Sequence, residues 1–333
     1  MKITIVGAGV AGMTCAVELA ERGVAVDVYE QATGFGPHSC SWFAGGMLSP
    51  WCEHEHSAEL IAKFGEQSIA WWSRQVPDVS KQGCLLVAHG RHASELIGFS
   101  RRTTRYEWLD AAAIGALEPA LADRFQRGLF FKDEAHLDPR TALQALADRL
   151  TGLGGRIHFG ATCTEQSKGD HLVIDCTGWA ARDQLHSLRG VKGEMLILRS
   201  KELTLSRPVR LLDPRTPAYI VPRFGGIFMV GATMIESDDG SRITARAMLE
   251  LLSAACSLHP AFAEAEVLEI GTQVRPAFPD NMPRILWRRD RIYINGFYRH
   301  GFLLAPAFAR MAADAILLGQ RCPQVEYENH AQR

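Results

Sequence analysis

The chain has no long apolar run, no surplus of charge of one sign and no patterned cysteines, and each absence removes a class of function. No uninterrupted apolar stretch approaches the roughly 18 residues of a bilayer span, so no membrane-crossing segment is expected. Lys plus Arg number 36 against 37 Asp plus Glu, a net charge of −1. That balance lacks the electrostatic footprint of a nucleic-acid or anionic-membrane binder. Eight cysteines, at 15, 40, 52, 84, 163, 176, 256 and 322, show no Cys-x-x-Cys pair. In a chain of 333 residues, long enough to bury its own core, they read as reduced and mostly buried. His54-Glu55-His56 alternates possible ligands but has no third cluster beside it, so it reads as a loop and no metal is expected. The partner is expected to be a small molecule, and the location the cytosol.

What the chain does have begins at its start. Ile3 to Val6 is a β-branched run, and Gly7-Ala8-Gly9-Val10-Ala11-Gly12 follows it as Gly-x-Gly-x-x-Gly. Gly7 permits a tight turn, Gly9 lets backbone approach a pyrophosphate, and Gly12 lets the next helix lie close on the strand. The N–H groups at that helix start face the anion. Ala11 to Arg22 keeps helical spacing, Gly23 closes the helix, and Val24 to Tyr29 reads as a second strand. It ends in Glu30, placed to accept a ribose diol, with Gln31 beside it. Strand, glycines, helix, strand and acid in register make a dinucleotide site.

Gln31 to Pro50 is too broken for a helix and too long for an ordinary connection. Its tail, Ser41-Trp42-Phe43-Ala44-Gly45-Gly46-Met47-Leu48, mixes small and apolar residues, which suits backbone running beside a flat ring. Residues 58–76 read as a helix burying Leu60, Ile61, Phe64, Ile69, Trp71 and Trp72, Gly83–Ala88 as a strand, Trp108–Ala122 as helical and Gly128–Phe131 as a strand. Asp138 and Pro139 open a helix as N-cap and first residue. Leu172 to Asp175 is a buried strand that breaks into Cys176-Thr177-Gly178-Trp179. From 191 to 274 the character turns strand-rich, with Ala218–Phe224 and Ile227–Met234 forming a hairpin across Gly225-Gly226. Pro222 places its arm at an edge or weakens it. Arg291 to Gly296 is a strand, Phe297-Tyr298-Arg299-His300-Gly301 a turn, and Phe302 to Leu318 a helix aiming its N-terminus at whatever sits there. The tail from Gln320 is polar and reads as frayed.

Together these pieces resemble the FAD-dependent amine and amino-acid oxidases, and within them the glycine oxidases of thiamine biosynthesis, the ThiO family. The residues carrying the resemblance are Trp42–Leu48, Tyr219–Arg223 with Val230–Met234, Arg275-Pro276-Ala277-Phe278-Pro279-Asp280, and Gly296–Pro306. The resemblance implies an α/β fold: a Rossmann-like FAD-binding domain of the glutathione-reductase and D-amino-acid-oxidase type, interleaved with a mainly antiparallel β substrate-binding domain. The expected division is 1–76, 135–190 and 275–333 for the first and 77–134 and 191–274 for the second. It implies that Arg275 binds a substrate carboxylate, that Tyr219 assists, and that Arg299 is a second arginine near the flavin. It also implies FAD contacts at Gly7, Gly9, Val10, Ala11, Gly12, Glu30, Gln31, Ser41, Trp42, Ala44, Gly45, Gly46, Met47, Thr177, Gly178, Trp179, Arg299, His300, Gly301, Phe302 and Leu303. FAD is expected to be non-covalent, because Gln273 and its neighbours stand where sarcosine oxidases carry their attaching cysteine.

The implied reaction is oxidation of glycine, or of another small amine or D-amino acid, by hydride transfer to flavin N5. Oxygen becomes hydrogen peroxide, and the imine becomes glyoxylate and ammonia or passes to thiazole synthesis. A homo-oligomer is expected by the same resemblance. Three alternatives stay open on the sequence: a D-amino-acid or secondary-amine dehydrogenase of the same fold, a non-enzymatic FAD protein, and an NAD-dependent dehydrogenase. The last shares the first glycine motif but leaves the 41–48 loop and the C-terminal turn and helix unexplained.

Overall fold

The computed structural model describes residues 1–53, 58–164, 171–214, 217–288, 291–320 and 324–327. His54-Glu55-His56 and Cys322 lie outside the described residues. Among the described residues the first sheet has seven strands: β1 (Lys2–Val6), β2 (Ala25–Glu30), β8 (Arg156–Phe159), β9 (Leu172–Asp175), β16 (Arg284–Arg288), β17 (Arg291–Asn295) and β18 (Val325–Tyr327). Their order is β18-β16-β17-β9-β1-β2-β8. All neighbours run parallel except the β16–β17 hairpin. Ile3 and Ile5 are fully buried, as expected for parallel strands covered on both faces. Two findings correct the sequence reading here. The tail is not wholly frayed, because Val325–Tyr327 adds a strand beside β16, and Leu60 faces outward on its helix.

The covering helices are α1 (Val10–Glu21), α2 (Ala58–Gln75), α5 (Pro139–Gly152) and α7 (Gly301–Leu318). Asp138 caps α5 by accepting from Arg140 N at 2.9 Å, with Pro139 in the first turn, as the sequence indicates. Contrary to the expectation of no span-length apolar segment, α7 is long and apolar enough by length and composition to cross a membrane. Most of it is buried, packed against α1 and α2 in the main core, which accounts for its composition. Pro306 sits inside this helix. A proline there has no N–H for the carbonyl four residues earlier, and Trp72 Nε1 supplies the missing donor to Phe302 O at 2.7 Å.

The second sheet has nine strands among the described residues, drawn from chain on either side of α5: β4 (Cys84–Val87), β5 (Glu107–Asp110), β6 (Arg127–Phe131), β10 (Arg189–Arg199), β11 (Val209–Leu211), β12 (Ala218–Arg223), β13 (Ile227–Gly231), β14 (Ile235–Glu236) and β15 (Glu266–Ala277). Its neighbours are antiparallel except β4 and β11. β10 and β15 form a ribbon that pairs Val191 with Arg275 and Gly193 with Gln273. Pro222 is tolerated in β12 because it lies past the last β11 pair, Val209 with Ile220, and needs no ladder donor on that side. The reading of Trp108 as helical is corrected. Trp108 to Asp110 belong to β5, and Asp110 caps the next helix, α4 (Ala111–Leu117), by accepting from Ala113 N at 2.8 Å. A helix α3 (Ala93–Ser100) packs near β6, and α6 (Ala245–Leu258), capped by Thr244, covers the far face of this sheet. A short pair, β3 (Met47–Leu48) with β7 (Ala135–His136), lies between the two sheets in the chain.

Candidate functional site

The glycine loop depends on close backbone approach. Gly7 takes a φ of +98°, and a β-carbon on it would come within 2.7 Å of Cys176 O. A β-carbon on Gly12 would collide with the Gly7 carbonyl oxygen, so α1 can approach β1 only with glycine there. Gly9 caps α1 in extended conformation without a side-chain acceptor, and no acid sits in the first turn. The helix end therefore keeps its positive pole for an anion. Glu30, at the end of β2 and nearly buried, accepts from Ala8 N at 2.9 Å and Ala32 N at 3.1 Å. Ser41 Oγ accepts from Val10 N at 3.0 Å and ties the 41–48 segment to the loop.

That segment folds as a single 3-10 turn over Cys40–Phe43 and then enters β3. Two arginines fix it. Arg140 stacks on Trp42 at 4.4 Å, and Arg223 Nη2 donates to Ala44 O at 3.2 Å. A cleft opens beside it, lined by Val10, Ser41, Ala44, Gly45, Gly46 and Met47 from the first half of the chain. Tyr219, Arg275, Arg299, Gly301 and Phe302 line it from the second half. α7 begins there without a side-chain cap or an acid in its first turn, and Gly301 abuts Val10, so two helix N-termini meet at one cleft.

The other end of the cleft is built from side chains. Arg275 projects from β15 across Gly193, where a β-carbon would collide with its guanidinium, and its Nη1 donates to Thr233 O at 3.1 Å. Tyr219, Arg275 and Arg299 also line a second, adjoining pocket. Burial pushes the Tyr219 phenol up, so it stays a hydroxyl donor. Arg299 is held by a residue the sequence reading passed over: Glu53 Oε1 lies 3.1 Å from Arg299 Nη2, and Oε2 3.5 Å from His300 Nδ1. Burial alone would raise the Glu53 carboxyl, but Arg299 above all, with His300 and Arg210, holds it well below the usual carboxylate range.

The other expected residues stand around the cleft rather than on it. Trp42 lies under Arg140, Leu303 packs against Gly65 of α2, and His300 is buried beside Glu53. Thr177 Oγ1 donates to Asp175 at 2.7 Å, Gly178 takes a positive φ, and Trp179 lies beside Arg182. Gln31 is exposed, and Ala11 is on α1 one residue past the cleft. Besides Glu53, the lining residues not expected as site residues include Cys40, Gly193 and Met195, which no local pattern marks, and Phe297 and Tyr298, which belong to the turn read at 297–301. The sequence reading also missed a buried cluster behind Glu53, where Cys52 and Cys84 have sulfurs 3.3 Å apart beside Glu134. Burial pushes the Glu134 carboxyl up to about 8, although its Oε1 accepts from Trp51 N and Cys52 N.

The family described as FAD dependent oxidoreductase matches residues 2–315. The chain belongs to that family. It is 53% identical over 326 residues to a Rhizobium etli protein named as a thiamine biosynthesis oxidoreductase, ThiO, with 97% of this chain and 99% of that one covered. It is 27% identical over 368 residues to the glycine oxidase of Pseudomonas aeruginosa, covering 98% and 96%. The crystal structure of glycine oxidase from Geobacillus kaustophilus shares the fold, with a TM-score of 0.81, 24% identity, and 97% and 95% of the chains covered. The fold expected from the sequence is thus the one found, and the chain is an FAD-dependent amino-acid oxidoreductase. Its residues fit FAD: the glycine cradle admits no β-carbon at Gly7 or Gly12, and two uncapped helix ends converge on the cleft.

Proposed function

We propose that the chain oxidises glycine to its imine, with oxygen as electron acceptor, and that the product serves thiamine thiazole synthesis. The observation that carries this reading is the Arg275 guanidinium, standing over Gly193 and sharing one cleft with Tyr219. Arg275 and the Tyr219 hydroxyl bind the substrate carboxylate, and such charge-assisted bonds contribute about 1.5–3 kcal/mol each. Fixing the carboxylate of so small a molecule also fixes its α-carbon, which converts orientation into rate. FAD, when bound, supplies the two-electron acceptor that takes the α-hydride and returns the electrons to oxygen as peroxide. The loop at 41–48 and the N-terminus of α7 hold the ring, and residues 7–12 with Glu30 hold the dinucleotide part. Raised by burial, the Tyr219 phenol remains protonated and serves as donor, so no side chain has to act as base if the amine enters neutral.

The relatives named for thiamine biosynthesis and glycine oxidation support the choice of substrate. A division into an FAD-binding part (1–76, 135–190, 275–333) and a substrate-binding part (77–134, 191–274), a homo-oligomeric assembly, and hand-off of the imine to a thiazole synthase belong to the same proposal. The test is aerobic: purified protein with FAD and glycine should yield peroxide and glyoxylate in equal amounts. Glyoxylate formed only with an added quinone, without peroxide, would move the reading to a dehydrogenase.

A further inference from the structure

The second pocket shares Tyr219, Arg275 and Arg299 with the cleft and has a third arginine, Arg210, on its wall. Arg210 stands on β11 in direct register with Tyr219 on β12, and residues paired across two strands project from the same face of the sheet. Its guanidinium is buried, lies over the Phe99 ring at 5.3 Å, and donates through Nη1 to Cys52 O. A ring and a carbonyl fix that group without cancelling its charge. Arg275 is in the same condition, since its Nη1 donates to Thr233 O. Arg299 differs, because Glu53 Oε1 lies 3.1 Å from its Nη2. Glu53 lines the cleft but not the second pocket, and no carboxylate of the described residues lines that pocket. Three guanidiniums against one carboxylate leave two cations over, even with Glu53 counted in full.

We propose that the second pocket is a subsite for a second anionic group, so that the site takes amino acids carrying two carboxylates as well as glycine. This deepens the reading of the site as a glycine-oxidising centre and rests on it for the placement of the first carboxylate on Arg275. The second carboxylate lies against Arg210, with Arg299 beside it. Arg210 is the residue that decides, because Glu53 already meets the charge of Arg299. A guanidinium presents five N–H donors, and Arg210 spends one of them on Cys52 O. Buried cations are costly without a counter-charge, and a ligand with two carboxylates supplies what glycine leaves missing. The carboxylate gives up water on entry, and a fork of donors already fixed by Phe99 and Cys52 replaces that water without ordering a mobile side chain.

The test reads binding rather than turnover. Titration calorimetry on the FAD-loaded protein gives dissociation constants for malonate, succinate and the monomethyl ester of each, which keeps the chain and loses one charge. The wild type should bind at least one diacid tenfold or more tightly than its monoester. In Arg210→Met, which keeps an apolar stem without the charge, that ratio should fall at least fivefold, and Arg210→Lys should bring it back to within threefold of the wild type. Diacids bound by the wild type no more tightly than their monoesters overturn the proposal, whether or not the variants fold. A ratio unchanged within twofold in Arg210→Met overturns it as well, as does failure of all four ligands to bind. Glycine is judged separately, by bleaching of the flavin. A diacid preference in a protein that glycine leaves yellow upholds the anionic subsite and overturns the choice of glycine, and bleaching by glycine without a diacid preference does the reverse.

Discussion

The two ends of the cleft are made of different material. At the end proposed for the nucleotide the material is mostly backbone: a loop whose turn needs φ of +98° at Gly7 and a helix start with no acid in its first turn, joined by one acid 18 residues past Gly12. At the end proposed for the substrate it is side chains brought from positions 53, 219, 275 and 299. The first kind is local in sequence and tolerates almost no added atom. The second is assembled by the fold and is adjustable by single substitutions. The difference teaches where damage should be total and where it should be graded.

The largest effect is expected at the nucleotide end. Gly12→Ala puts a methyl group against the Gly7 carbonyl, a backbone collision that cannot relax through a side chain. The variant should purify colourless or not fold, as read by the flavin absorbance and by the yield of monodisperse protein. At the substrate end, Arg275→Ala should keep its yellow colour and thermal stability while the apparent affinity for glycine or acetate falls about ten- to a hundredfold, the size of a charge-assisted bond. Gly193→Ala sharpens the comparison further. The nearest atoms its methyl group meets are the flexible end of Arg275, so the melting temperature should hold within about 2 °C while carboxylate affinity falls by about tenfold. The analogous insertion of one methyl group at Gly12 and at Gly193 should thus give loss of the protein in one case and loss of a ligand in the other.

A separate effect, on stability rather than on the ligand, is a pH dependence from the cluster behind Glu53. Glu134 has a folded value of about 8 against an ordinary value near 4.5, so the fold holds its proton. With more protons bound folded than unfolded, stability must fall as pH rises between those values and level off above about 8. His136 works the other way, its value lowered to about 4 by burial, so stability falls as pH drops from about 6.5 toward 4. Melting curves from pH 5 to 9 should show Glu134→Gln gaining on the wild type through that range. Parallel curves would contradict the assignment.

The nucleotide end and the strand-rich half were legible because their rules are short-range. Glycine spacing, Asp138-Pro139 and the diglycine hairpin each act within a few residues. Glu53 was not legible, since its meaning comes from Arg299, 246 residues away. Gly193 was not either, because its need for a missing β-carbon arises from Arg275 on the facing strand. Trp108 misled because the alanine run after Asp110 extends a helical pattern backward across a strand. The α7 helix shows the reverse problem: an apolar stretch of span length whose burial against α1 and α2 only the fold reveals.

If one cleft joins an FAD site to a carboxylate anchored by Arg275, anaerobic titration of the yellow protein with glycine, for the wild type and Arg275→Ala side by side, shows it. Glycine should bleach the wild-type flavin, and the variant, with the same starting spectrum, should need about ten- to a hundredfold more glycine. A wild-type flavin that glycine leaves yellow, or a variant bleached at the same concentration, would contradict it.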